Sequence, residues 1–193
     1  MATDPRALAE RVIQASLATQ QTLLESRSLE AIIEAGEMIA RSLASGGTVL
    51  LFGNGGSAAD ASHIAAELLG RFQRERRALP AVALADSQST LTAIANDYGF
   101  EHVFARQIEA LGRPGDVAIA ISTSGTSANV LAGARAARES GLATIALTGG
   151  AGQELQAAVD VCIAVASTTT ARIQEGHILV AHLLCELVDQ SIA

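Results

Sequence analysis

The chain has 193 residues, 49% of them hydrophobic, and a formal net charge of −7 at pH 7. That length suits one domain with a core large enough to fold without disulfides. The acidic balance argues against a general affinity for nucleic acid or anionic membranes, which favour basic patches. Cys162 and Cys185 form no CxxC or CxxH spacing, so two buried thiols in a reducing compartment are expected rather than a zinc knuckle or a disulfide framework. The segment MATDPRALAERVIQ lacks a charged region followed by an apolar one, and no stretch has 18 consecutive apolar residues. The expectation is a soluble, cytoplasmic protein with no membrane partner.

Residues 6–45 read as two helices, the first with a ragged apolar face (Leu8, Val12, Leu17, Leu23, Leu24), the second with a better one (Leu29, Ile32, Ile33, Met38, Ile39, Leu43). Gly46-Gly47 stops the second. Beyond it, short aliphatic and β-branched runs at 48–53, 81–85, 116–122, 144–149 and 161–166 alternate with helical stretches at about 57–71, 88–95, 102–111, 127–140, 152–158 and 171–191. The five runs are apolar almost throughout, as strands covered on both faces by helices are. This predicts a single α/β domain, a five-stranded parallel sheet in a Rossmann-like three-layer sandwich, over 46–193 behind the N-terminal helices. The connection FQRERRALP (72–80) carries three arginines and reads either as a solvated loop or as a substrate or subunit contact. In a doubly wound sheet the ligand lies at the carboxyl ends of the strands, which directs attention to the loops after 53, 85, 122 and 149.

After the third run, Ser122-Thr123-Ser124-Gly125-Thr126-Ser127 sets five hydroxyls and a glycine at a helix start. Free N–H groups and the positive end of the helix dipole favour an anion there, and hydroxyls add neutral donors. The loop suits a phosphate monoester; the plainer reading is one N-cap in a surface turn. Gly53-Asn54-Gly55-Gly56-Ser57 makes the equivalent turn after the first run and fits the GxGxxA dinucleotide pattern. That fold wants an acidic residue about 20 positions on, and here the second run ends at Asp86, 33 beyond Gly53. A glycine turn that lets backbone approach a compact sugar is simpler.

His63 and Glu67 share one helix face at i and i+4, and Arg71 continues it. In the last helix Gln174 and His182 lie two turns apart, and His177 is a further candidate on another face. Facing helices would let His63, Glu67, Gln174 and His182 form a four-donor site for zinc or a similar ion. The same residues without metal supply a carboxylate base and an imidazole acid.

The motifs GNGGSAADASHIAAEL, TAIANDYGF, STSGTSAN and RIQEGH, with His182, together resemble the phosphoheptose (sedoheptulose 7-phosphate) isomerases of the sugar isomerase (SIS) fold, over essentially the whole chain. The resemblance implies that Asn54, Gly55, Gly56 and Ser57 contact the sugar and that Asn96, Asp97, Arg71 and Gln174 line its pocket. It implies phosphate binding by Ser122, Thr123, Ser124 and Ser127. His63, Glu67, Gln174 and His182 match zinc-binding positions, one zinc per subunit, with Glu67 and His182 also the acid/base pair. Metal and base duties then compete, because a cation stabilises the ionised carboxylate. The family forms homotetramers, using its N-terminal helices, with active sites at subunit interfaces. The implied reaction converts D-sedoheptulose 7-phosphate to D-glycero-D-manno-heptose 7-phosphate, towards surface-polysaccharide heptose. Two features depart from this: Ser167-Thr168-Thr169-Thr170 lacks an acidic residue that some members carry, and ANDYGF with SxxxARIQE also looks like a non-catalytic tetrameric relative that binds the replication initiator. The retained Glu67 and His182 favour the enzyme.

Overall fold

A computed structural model describes residues 4–192. Helix α1 (Pro5–Gln21) opens with proline in its first turn and the Asp4 carboxylate accepting from the Arg6 N–H, a start that supplies an acceptor where the helix has free donors. A 3₁₀ turn (Thr22–Leu24) leads into α2 (Ser26–Ala44). The remainder alternates: β1 (Val49–Gly53), α3 (Gly56–Leu69), β2 (Ala81–Ala83), α4 (Gln88–Tyr98), α5 (Ala105–Leu111), β3 (Val117–Ser122), α6 (Ala128–Glu139), β4 (Ala143–Gly149), α7 (Gln153–Ala157), β5 (Val161–Val165) and α8 (Thr170–Ser191).

The five strands are parallel in the order β2-β1-β3-β4-β5. Side chains alternate between faces along each strand, so Val49, Leu51, Val117, Ile119 and Ile121 join a core with Ile39, Ile64, Leu68, Val180 and Leu184 from α2, α3 and α8. Leu50, Phe52, Ala118 and Ala120 face Phe104, Ile108, Val130 and Ala134 on the other side. Two cores on one sheet make the three layers that the apolar runs predict. The strand order reverses between β1 and β3, which sets the loops after Gly53 and Ser122 side by side at the switch point.

Local differences have identifiable causes. The second run pairs only to Ala83, because the Asp86 N–H turns back to the Ala83 carbonyl. Helix α4 runs three residues past the expected 95 and stops where Gly99 takes φ +94°; the helix expected from 102 begins at Ala105, after a 3₁₀ turn at Phe100–His102. Of α1 only Thr19 is buried, so Leu8, Val12, Ile13 and Leu17 lie exposed on the single chain. Cys162 is half-buried and Cys185 buried, both free, and burial pushes their thiols up to about 11 and about 12. No helix among the described residues is long and apolar enough to cross a membrane.

The arginine-rich connection is more than a solvated loop. Arg76 turns inward and its Nε donates to Asp189 Oδ1 of α8 at 2.7 Å, the two side chains being 4% and 2% exposed. Burial by itself would raise the Asp189 carboxyl. The hydrogen bond from Arg76, the N–H groups of Gln73 and Arg74 and the Arg76 charge outweigh it, holding the group below the usual carboxylate range.

Candidate active site

At the switch point a cavity of about 100 Å³ is lined by Asn54, Ser57, Ile121, Ser122, Thr123 and Ser127. Gly55, at φ +57°, turns the chain from β1 into α3, a backbone region that disfavours other residues. Across the cavity Ser127 sits at the N-cap of α6, yet its side chain caps nothing and lies 3.3 Å from Ser122 Oγ. The plain N-cap reading of this serine therefore fails, and its hydroxyl stays available to a ligand. Ser122 Oγ accepts from the Gly125 N–H at 3.2 Å, while Ser124 Oγ accepts from the N–H and the hydroxyl of Thr126. The loop is thus drawn into a ring of hydroxyls and amides over the start of a twelve-residue helix, where an anion is favoured.

One contributor escaped the sequence reading. Asn54 and buried Asn129 exchange two amide hydrogen bonds, each 2.8 Å, which tie the glycine turn after β1 to the first turn of α6. The two residues stand 75 positions apart, and only the reversal of strand order makes them neighbours.

Helices α3 and α8 lie side by side and parallel. Gln174 rests against Gly56, where a Cβ would overlap its amide nitrogen, and further along His63 Nε2 meets His182 Nε2 at 3.0 Å. His63 Nε2 is also 3.6 Å from Glu67 Oε1. At 3.0 Å one imidazole donates and the other accepts, so the two Nε2 atoms do not both carry hydrogen. Phe72, from the arginine-rich connection, stacks on His182 with centroids 5.5 Å apart. The seam therefore gathers His63, Glu67 and His182, with Gln174 set apart beside Gly56. Among the described residues no group of three or more His, Cys, Asp or Glu is gathered closely enough to hold a metal ion.

The other expected residues lie outside this cluster. Arg71 is exposed, 3.7 Å from Glu75. Asn96 and Asp97, exposed on α4, hydrogen-bond to one another at 2.8 Å.

The SIS domain family profile matches residues 13–149. The phosphoheptose isomerase of Roseiflexus sp. is 54% identical over 180 residues, 93% of this chain and 91% of its own. The chain belongs to the phosphoheptose isomerase family. The phosphoheptose isomerase of Rhodospirillum rubrum is 56% identical over 84% of this chain and 86% of its own. Among solved structures, the phosphoheptose isomerase of Francisella tularensis matches with TM-score 0.92 at 37% identity, over 97% of this chain and 100% of the other. That of Neisseria gonorrhoeae matches with TM-score 0.85 at 45% identity, over 96% of each.

His177 takes no part in the seam. It is fully buried, neither ring nitrogen has a hydrogen-bond partner, and nearby Thr148 Oγ1 is also unpartnered. Burial pushes the imidazolium below the usual histidine range; the Thr148 backbone opposes this in part, being close to the ring but outside hydrogen-bond geometry. The unfolded chain takes up this proton near pH 6.5 and the folded chain does not. The associated stability is present above about pH 6.5 and is lost as pH falls towards the lower folded value. His177→Leu is expected to raise the melting temperature by removing unsatisfied polar atoms, worth about 1–3 kcal/mol, and to gain more at pH 5.5 than at pH 8. Thermal melts at the two pH values check this; equal or lower stability at both would contradict it.

Proposed function

We propose that the chain isomerises D-sedoheptulose 7-phosphate to D-glycero-D-manno-heptose 7-phosphate through an enediol. The observation that carries this is a phosphate cradle and a proton-transfer pair joined by one helix. Ser57 lines the cradle, and His63 and Glu67 follow six and ten residues later on α3, about 9 and 15 Å further along its axis. That span suits a sugar chain phosphorylated at one end and reacting at the other. Glu67 takes the proton from C1 of the ketose and returns it at C2, while His182 serves the two oxygens as acid. With hydrogen on His182 Nε2, His63 is the acceptor of the short contact between them, and the stacked Phe72 ring holds the plane of the acid. The cradle holds the phosphate equally in substrate and product, which lowers the substrate requirement rather than the chemical barrier.

We also propose one zinc per subunit, held by His63, Glu67, His182 and Gln174. Two imidazoles, a carboxylate and an amide are suitable N/O donors. In a tetrahedral site with bonds of 2.0–2.1 Å the ligand atoms lie about 3.3 Å apart, near the 3.0 Å between the imidazoles and the 3.6 Å from His63 to Glu67. Closing the set requires Glu67 and His182 to draw together and Gln174 to leave Gly56, since the three ionisable donors are not yet gathered closely enough for a metal ion. When bound, the ion would polarise the substrate's oxygens. Elemental analysis is expected to give about one zinc per chain, and chelation to lower the melting temperature, because a ligand of the folded state stabilises it; metal-free protein indifferent to added zinc would overturn the assignment.

The assembly proposed is a homotetramer with active sites at subunit interfaces. The exposed apolar side of α1 and the exposed Arg71, Asn96 and Asp97 support it, because in the single chain these residues lie apart from the cradle and the seam. The deciding experiment for the reaction is incubation with sedoheptulose 7-phosphate, followed by NMR for the aldose. Absence of product from folded, zinc-supplied protein would favour a non-catalytic binding module.

A further inference from the structure

The Arg76–Asp189 pair joins the three segments that build the proposed acid/base site. Arg76 Nη2 donates to the Glu67 carbonyl at 2.9 Å, and Nη1 donates to the carbonyls of Leu68, Gly70 and Arg77 at 2.9, 3.3 and 3.1 Å. The guanidinium therefore closes the carboxyl end of α3, where orphan carbonyls and the negative end of the dipole favour a cation. Nε reaches Asp189 Oδ1, and Asp189 Oδ2 accepts from the Gln73 and Arg74 N–H groups at 3.0 and 3.1 Å. Asp189 lies seven residues after His182, two turns along the same face of α8. The connection fastened by Gln73 and Arg74 begins at Phe72, whose ring stacks on His182.

We infer that Arg76 and Asp189 are positioning residues: a buried lock that sets the last turn of α3, with Glu67, against α8, with His182, and seats Phe72 on the His182 ring. A planar fork serves the carboxylate from Nε, the Glu67 carbonyl from Nη2 and three carbonyls that share the two hydrogens of Nη1, a spread that a lysine cannot match. The lock touches neither β3 nor α6, so the phosphate cradle is outside its reach. Its effect therefore falls on kcat and leaves KM nearly unchanged.

This inference rests on the isomerase reading for its kinetic arm only. The variants are Asp189→Asn, which leaves the Arg76 charge buried and is expected to melt lower, and the double variant Arg76→Gln, Asp189→Asn, which leaves no buried unpaired charge and keeps the test open if the single change costs the fold. Each is measured below its melting transition for kcat and KM on sedoheptulose 7-phosphate, and by histidine-labelled NMR for the ring resonances of His182, with exposed His102 as internal control. The expected result is a fall in kcat of roughly 10- to 100-fold, KM within twofold of the parent, and His182 resonances displaced while those of His102 stay. Unmoved His182 resonances overturn the inference whatever the rate, and so does an unchanged kcat per folded molecule, which reduces the lock to a structural clasp. If the parent itself makes no aldose, the isomerase reading fails and the NMR arm alone decides the lock.

Discussion

Glu67→Gln is expected to lower kcat on sedoheptulose 7-phosphate about 10³-fold or more while the protein stays folded. The substitution keeps the size of the side chain and removes the anionic oxygen that takes a proton from carbon. General acid–base contributions run at about 10²–10⁴-fold, and losing the base stops both the forward and the return transfer. His182→Gln should cost about as much, because an amide can neither give nor take a proton at the substrate oxygens. The two effects should not multiply in a double variant, since base and acid act as a unit. Little stability is at stake: the His63–Glu67 contact is a partly exposed 3.6 Å pair on one helix, and such pairs contribute about 0–1 kcal/mol. Steady-state kinetics beside a thermal melt check the prediction. A Glu67→Gln protein with a near-parental rate would remove Glu67 from the role of base.

Gly125→Ala is expected to loosen phosphate binding and to destabilise the fold together. Gly125 stands at φ +67°, and a Cβ there would overlap the Gly152 Cα and lie 2.9 Å from Thr148 Oγ1. Left-handed backbone costs a non-glycine residue about 1–2 kcal/mol, and forcing a methyl group into packed surroundings about 1–3 kcal/mol. The obstacle is main chain, which cannot rotate away as a side chain can. A total of roughly 2–5 kcal/mol lowers the melting temperature by about 5–15 °C in a chain of this length. Relief would come by shifting the 122–127 loop, which spoils the ring of hydroxyls and amides. KM and the inhibition constant for inorganic phosphate should therefore rise, roughly 10-fold or more, with a smaller change in kcat, the pattern of lost uniform binding. Unchanged melting and unchanged phosphate inhibition would show that this loop does not hold the phosphate.

Much of the fold is legible before any coordinates. Runs such as VLLFG and VAIAIS are apolar almost throughout, and every position of both is buried, as in a sheet covered on both faces. Their alternation with helical segments makes the sheet parallel. Element ends were less legible, because they depend on single events: a turn closing from Asp86 onto Ala83, or a positive φ at Gly99. In the site, the chemistry-bearing residues stood out by type and spacing. HIAAE places His63 and Glu67 on one face by helical periodicity alone, and the hydroxyls of STSGTS single out the loop proposed to hold the phosphate.

What sequence reading missed has a common character. Arg76 stood as one of three arginines in a connection that read either as a solvated loop or as a substrate or subunit contact, because its partner, Asp189, lies 113 residues away, and Asn129 looked like an ordinary helix residue until strand order brought Asn54 to it. Neither pairing has a local signature, since burial of a charge or an amide depends on which segments pack above it. Local physics therefore determined the elements, the parallel sheet and the kinds of side chain offered to a ligand, because these follow from steric and hydrophobic patterns within a few residues. Tertiary structure alone decided which of those side chains meet. The order β2-β1-β3 sets two loops together as one cradle, and the parallel packing of α3 on α8 turns an ordinary i, i+4 pair into one side of a His63–Glu67–His182 cluster.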